Sequence, residues 1–396
     1  MPCTPRTARL LLKDGLAKVK RRDPFTIKLL VGVPGYTQEL VLGVDSGSKV
    51  VGSAVRDEKN RIHYASEVHL RDDIKKKMDQ RRIFRRTRRG RKTRYRKARF
   101  LNRKNSTKDD RYPPTLVSKF NSTLKEIKFV TSILPINRVK IETATFDPHL
   151  LHNPIVYKYP WMYQKGLRFG YANTKAYILA RDKYSCQYCK GKSKDSRLHV
   201  HHILPRSQQG SDRPNNLITL CETCHHDLHN GYIKLSARQK KSLLNHPTHM
   251  NVLQSMFRKF VGDWEEVNGF QSKVIREYFN LPKEHYIDAF CCTVEKDIPP
   301  TLVTDRLLVK KCIAKGEYKL TKGSRSEIKI PTGKICGFKR WDKVEYKGEQ
   351  YFIAGRMSTG YFNLGDVLGN QQRIRPMPKA TQLTRCGARK SWIMST

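Results

Sequence analysis

The chain has 396 residues, enough for two or three domains that each bury a core. Lys and Arg total 79 against 35 Asp and Glu, a formal net charge of +44, and 38% of residues are hydrophobic. That self-repulsion argues against an ordinary metabolic enzyme and for a polyanionic partner, nucleic acid first; no run approaches the roughly 18 apolar residues of a membrane span, and the N-terminus has no secretory apolar core.

Residues 1–37 read as a small basic unit: a helix around Thr7–Leu16, a strand at Phe25–Val31, and a stop at Val33-Pro34-Gly35. Three apolar strands follow in LVLGVDSG, KVVGSAVRD and RIHYASEVHL, the first ending on Asp45. Turns at Gly47 and at Asp57–Asn60 make them the start of a meander. Residues 71–104 then carry 18 Lys/Arg and three Asp, a net +15. No proline interrupts them, which permits a helix roughly 50 Å long. It lacks a continuous apolar stripe and so cannot be an ordinary core helix. Ile83, Phe84, Tyr95, Phe100 and Leu101 offer some anchoring, and a solvated or disordered arm is the plain alternative.

Residues 105–114 read as a loop, and 115–134 as a helix with Leu116, Phe120, Leu124, Ile127 and Ile133 at helical spacing. RVKIETATFD is a strand carrying Glu142. Residues 150–173, rich in aromatics and glycine, read as a linker. Residues 236–262 read as mostly helical, FQSKVIREYFN as strand or helix, and KEHYIDAFCCTVE as a helix. The end, from about residue 300, reads as strands, with glycine spacing that suggests a small β-barrel.

Residues 174–235 hold the densest chemistry. Cys186 and Cys189, then Cys221 and Cys224, form two C-x-x-C pairs about thirty residues apart. Four thiolates from two tight turns close a tetrahedral zinc site, which is structural. The six other cysteines are scattered, as in a reducing, intracellular compartment, cytoplasmic or nucleoid-associated. With four thiolates filling the zinc site, the histidines need another role. His201 and His202 lie on a strand and point to opposite faces, so one can hold a metal while the other faces substrate. His225 and His229 are four apart on a helix, hence on one face, and Asn216 sits in a loop where an amide can tie down backbone. A zinc ribbon with surplus histidines is the bland alternative.

This cluster resembles the HNH nuclease motif, a β-hairpin and helix around one divalent metal. The resemblance makes His202 the general base, His201 and His225 ligands of the catalytic magnesium, His229 a further ligand, and Asn216 the residue that orients the hairpin. Asp45, Glu142 and Asp288, with His285 one helical turn before Asp288, resemble a two-metal phosphodiesterase site, whose hard oxygen ligands suit magnesium. Each acid alone reads more simply as a cap, a turn or a surface charge.

The order of these pieces is similar to the IscB family, compact transposon-encoded relatives of the CRISPR effector with HNH and RuvC domains. The implied fold is α/β multidomain: an RNase H-like (RuvC) mixed sheet, an inserted ββα-metal HNH domain, a long Arg-rich bridge helix and a small β-rich C-terminal domain. The implied boundaries are 1–38 for a PLMP-like unit, 39–70, 105–150 and part of 236–300 for the three RuvC pieces, and 71–104 for the bridge helix. Residues 151–173 become a linker, 174–235 the HNH domain, and 301–396 a region contacting RNA and the target-adjacent motif. The family's leading unit opens on an extra strand and a Pro-Leu-Met-Pro run, whereas this chain opens on Met1-Pro2-Cys3.

The implied activity is RNA-guided cutting of double-stranded DNA, HNH on the guide-paired strand and RuvC on the displaced one. The implied partners are a structured guide RNA of the omega-RNA type and duplex DNA, in a monomeric ribonucleoprotein without a membrane. Arg81, Arg82, Arg85, Arg86, Arg88, Arg89, Arg91, Arg94, Arg96 and Arg99 would grip phosphates, since the guanidinium fork binds them bidentately. Competing readings are an unguided HNH homing-type enzyme and a nucleic-acid-binding protein with a dead nuclease fold.

Overall fold

The computed structural model describes residues 3–22, 25–32, 38–90, 111–208, 210–235, 245–295, 299, 301–302, 307–314 and 333–395. Two compact units emerge: Met1–Ala144 together with His249–Thr396, and Thr145–Thr248. Among the described residues no helix is long and apolar enough to cross a membrane.

Helix α1 (Pro5–Lys13), capped by the Thr4 hydroxyl, leads into the antiparallel pair β1 (Ala17–Arg22) and β2 (Phe25–Leu29). The expected helix end at Leu16 is thus three residues late, the strand expected at Phe25–Val31 corresponds to β2, and β1 is an additional strand. Strands β3 (Leu40–Asp45), β4 (Val50–Asp57) and β5 (Arg61–His69) form the antiparallel meander read from their apolar runs. Helix α2 (Ile74–Gly90) covers the first half of the basic run; residues 91–104 lie outside the described residues. Helix α3 (Pro114–Thr131) precedes β6 (Arg138–Thr143), which pairs parallel to β3.

The second unit follows. It contains α4 (Pro148–His152), two 3-10 turns, α5 (Thr174–Arg181), the antiparallel hairpin β7 (Leu198–His202) and β8 (Leu217–Cys221), and α6 (Glu222–Asn230). The region read as a linker therefore has ordered turns of its own. Helix α7 (Asn245–Phe260) leads back to the first unit. There β9 (Glu265–Asn268), α8 (Gly269–Tyr278), α9 (His285–Cys291), β10 (Thr301–Leu302) and β11 (Leu307–Cys312) follow. Strands β12 (Lys343–Tyr346), β13 (Glu349–Arg356), β14 (Phe362–Gly365), β15 (Thr384–Gly387) and β16 (Trp392–Ser395) complete it.

The main sheet is mixed and eight-stranded, in the order β16-β11-β5-β4-β3-β6-β9 with β10 beside β5. Its two faces separate by residue parity. Leu40, Leu42 and Val44 of β3 pack with α3 and α7, through Phe120, Phe129, Leu253 and Phe257. The opposite face carries Ala54, Ile62 and Ala65 against Ile287, Ala289 and Phe290 of α9. Gly43 and Gly52 permit that approach: a Cβ would fall 1.8 Å from the Ala289 carbonyl oxygen and 2.0 Å from that of His285.

Strands β14-β13-β12-β15 form a separate four-stranded antiparallel sheet around Val344, Ile353, Phe362 and Leu364, an open order rather than a closed barrel among the described residues. The expected boundary at residue 301 is corrected by β11 and β16, which belong to the main sheet. Lys310 fixes β11 there. Its buried Nζ lies 2.7 and 2.8 Å from the Glu126 carboxylate, which also accepts from the Tyr64 and Ser66 hydroxyls. The pair is tolerable in the core because these hydrogen bonds satisfy it.

Candidate functional site

Alternation along β7 sends His201 and His202 to opposite faces. His201 meets His225 and His229, one turn apart on α6, and ring nitrogens of the three lie within 4.8 Å of one another. Burial first, then the neighbouring histidines, hold His201 and His225 below the ordinary imidazole range. They are therefore neutral at pH 7, the form that ligates a metal, and the donor set fits one divalent ion. His199, which the sequence reading passed over, stacks on His225 with ring centroids 4.8 Å apart and planes at 18°.

His202 faces the other way. Its Nε2 lies 2.7 Å from Oδ1 of Asp212, which also accepts from Arg206 Nε at 2.9 Å. Those two hydrogen bonds hold the exposed Asp212 below the usual carboxylate range. Asn216 is fully buried and closes the connecting loop: its Oδ1 accepts from Leu204 N at 2.8 Å, and its Nδ2 donates to the carbonyls of Leu204 and Ser211. Arg181 of α5 donates to the carbonyls of Pro214 and Leu217, on either side of Asn216. The result is an open cleft of ≈ 750 Å³ lined by His201, His202, Arg206, His229 and Lys234.

Cys186, Cys189, Cys221 and Cys224 bring their Sγ atoms within 4.8 Å of one another, all as free thiols. Ser193 bonds hold the Cys189 thiol down to about 5, whereas burial pushes Cys224 far up. Four sulfurs in a mostly buried cluster are a donor set that could bind zinc.

In the first unit, parity places Asp45 on the α9 face of β3 and Glu142 on the same face of β6, directly across in the parallel register. His285, at the start of α9, sets Nδ1 2.5 Å from Asp45 Oδ2. Asp288, one turn on, is held at Oδ1 by Arg276 of α8. Burial, then the charge of Asp45, pushes Glu142 up to about 7. Burial also raises Asp45 against the pull of His285, and the Asp45 hydrogen bond raises His285. The charge of Asp288 adds to the rise of both Asp45 and Glu142, and hard carboxylate oxygens are the donor type that suits magnesium. Glu67 of β5 is a fourth acid here, accepting from the His285 backbone N–H at 3.1 Å.

Comparison with known proteins bears on both units. Residues 186–231 match the HNH endonuclease family, and residues 1–166 match the RRXRR protein family. The chain carries an HNH endonuclease domain. Its HNH domain is of a metal-dependent class that hydrolyses phosphodiester bonds, and RRXRR followed by HNH matches the IscB-like architecture.

A stretch of 62 residues is 39% identical to the type IV methyl-directed restriction enzyme of Escherichia coli strain K12, covering 14% of this chain and 22% of that enzyme. Another of 54 residues is 35% identical to anaredoxin of Nostoc sp., covering 14% of this chain and 68% of that protein. The chain thus spans about a fifth of the restriction enzyme's length.

Side chains of His201, His225 and His229 and of the four cysteines come together, while Asp45 lies across from Glu142 and beside His285, with Asp288 one turn on along α9. The arginines divide differently. Arg81, Arg82, Arg85 and Arg86 stand exposed on α2, Arg88 and Arg89 lie at its end, and Arg91, Arg94, Arg96 and Arg99 lie outside the described residues. Asp212, His199, Arg206, Glu67 and Arg276 were missed. Asp212 sits in a turn-like S-D-R-P run, and the others reach their places only through register and helix packing.

Proposed function

We propose that the chain is an RNA-guided DNA endonuclease of the IscB type. The HNH domain cuts the guide-paired strand, and the acidic cluster, as a RuvC site on an RNase H-like sheet, cuts the displaced strand. The observation that carries this reading is the second site: an unguided HNH enzyme has no use for Asp45 and Glu142 side by side on the inner strands β3 and β6 with His285 and Asp288 of α9 over the same face. The likeness to a restriction enzyme supports DNA as the substrate class. The exposed arginines of α2 supply the phosphate grip expected of a bridge helix.

In the HNH domain, Asp212 holds His202 by Nε2, which leaves Nδ1 to take a proton from the attacking water. Asn216 keeps the loop in the shape that makes this pairing possible. A divalent ion on His201, His225 and His229 would stabilise the charge growing on the phosphate. Arg206 and Lys234 line the same cleft and attract the phosphate backbone. In the second site His285 is placed to move a proton beside Asp45, and Asp45, Glu142 and Asp288 would hold magnesium.

Two expected results follow from this assignment. Asp212→Ala should lower kcat roughly tenfold to a hundredfold through misorientation of His202, with KM nearly unchanged. The thermal midpoint should not move, since Asp212 is exposed. An increase confined to KM would place Asp212 in substrate binding instead.

Asp45→Ala should leave the guide-paired strand cut and the displaced strand intact, read on a duplex labelled at each strand. Loss of both cuts would sink the idea of two independent sites. The guided reading itself is tested by sequencing nuclease-protected RNA that co-purifies with the protein. A single structured RNA with a variable segment supports it, and its absence alongside magnesium-dependent duplex cutting would leave an unguided HNH enzyme.

A further inference from the structure

Residues 148–173 lie beside the HNH domain in sequence and in the same compact unit. Soluble proteins keep contiguous apolar surface small unless it binds something. Here Tyr157 is 80% exposed, Phe169 63%, Trp161 59% and Tyr159 51%. The display is built, not loose. Asp147 caps α4, Asn153 caps the first 3-10 turn, Pro160 opens the second, and Val156 is buried beneath them. The Tyr163 hydroxyl donates to Asp147 and ties the second turn back to the first helix.

Charge narrows what this surface can meet. Between Pro148 and Asn173 there are three cations, Lys158, Lys165 and Arg168, and no acid. All three are exposed, and Lys165 lies 5.5 Å from the Phe169 ring centroid. A second copy of a chain with net charge +44 would be repelled. Flat rings interleaved with cations suit a strand whose bases are unpaired: the bases stack, and the cations meet the phosphates.

We propose that this segment is a stacking platform for single-stranded DNA, feeding or retaining a strand at the HNH domain. The assignment rests on the reading of the chain as a DNA-cutting enzyme, and its test is a binding measurement that does not need cutting. The full chain is titrated with an oligo-dT strand, without added divalent ion and above about 200 mM salt, where non-specific phosphate binding is weak.

Trp161 fluorescence should be quenched, and Trp161→Ala should remove that quenching. Tyr157→Ala with Phe169→Ala should weaken oligo-dT binding roughly fivefold to a hundredfold. Duplex affinity of equal length should not change, since paired bases are not free to stack. Trp161→Phe should retain most of the affinity, because a ring remains.

Equal loss on single strand and duplex, or no loss on either, overturns the platform. Loss on oligo-rU with oligo-dT unaffected overturns it as a DNA site and makes it an RNA one. If the double variant folds poorly, Tyr157→Ala alone, at the most exposed of the four rings, gives the same readout. Failure here with duplex cutting intact leaves the nuclease assignment standing; failure of cutting with the binding pattern intact does the reverse.

Discussion

His202→Ala is expected to abolish cutting of one strand while the other is still cut, leaving a nicked duplex. General-base assistance contributes about a hundredfold to ten-thousandfold, so single-turnover cutting by the HNH domain should fall by at least a hundredfold. The fold should survive, because His202 is only partly buried and its ring bonds outward to the exposed Asp212. Binding of a divalent ion should survive as well, since His201, His225 and His229 lie on the other face of the strand. The assay is strand-resolved cutting of a doubly labelled target, with calorimetric titration of manganese as the control. Residual HNH cutting within tenfold of the unaltered protein would remove His202 from the role of base. Loss of ion affinity in the variant would recast it as a ligand.

What could be read from the sequence follows the range of each interaction. The C-x-x-C pairs and His225/His229 advertise themselves because their geometry is set by one turn or one helical repeat. Strands β3 to β5 show as apolar runs because both sheet faces are covered, one by α3 and α7, the other by α9. Asp45 and Glu142 stood out as acids on apolar strands, and the parallel register then sets them side by side. The misses have a different physics.

Strand β11 pairs with β16 across about eighty residues that include the whole four-stranded sheet, so no local pattern announces it. Placing Glu67 beside His285 needs the approach of α9 to the sheet, which Gly43 and Gly52 allow only by lacking a Cβ. Asp212 lies in a polar loop whose composition says no more than turn. Its partner His202 is ten residues away, and Asn216 folds the loop between them.

Removing zinc should have the largest effect on stability. Among the described residues the apolar cluster around the hairpin is small: its buried members are Cys186, Leu220, Cys221 and Cys224, with Leu217 of β8 and Ile178 of α5 also buried in this unit. Thiolate–zinc binding in small domains is worth an apparent ~10–16 kcal/mol near neutral pH. That matches or exceeds the ~5–15 kcal/mol net stability of a whole domain. Cys186→Ser with Cys189→Ser, or treatment with a strong chelator, should therefore unfold residues 174–235 rather than weaken them.

The readout is limited proteolysis mapped by mass. Cleavages should appear across the Cys/His segment, while the eight-stranded sheet, with its own buried cluster, stays protected. Adding magnesium back should not restore protection, since four sulfurs do not suit that ion, whereas zinc should. Recovery with magnesium alone would mean that the histidine site, not the cysteines, holds the segment together. Persistent protection in the serine variant would return the four thiols to an ordinary buried cluster.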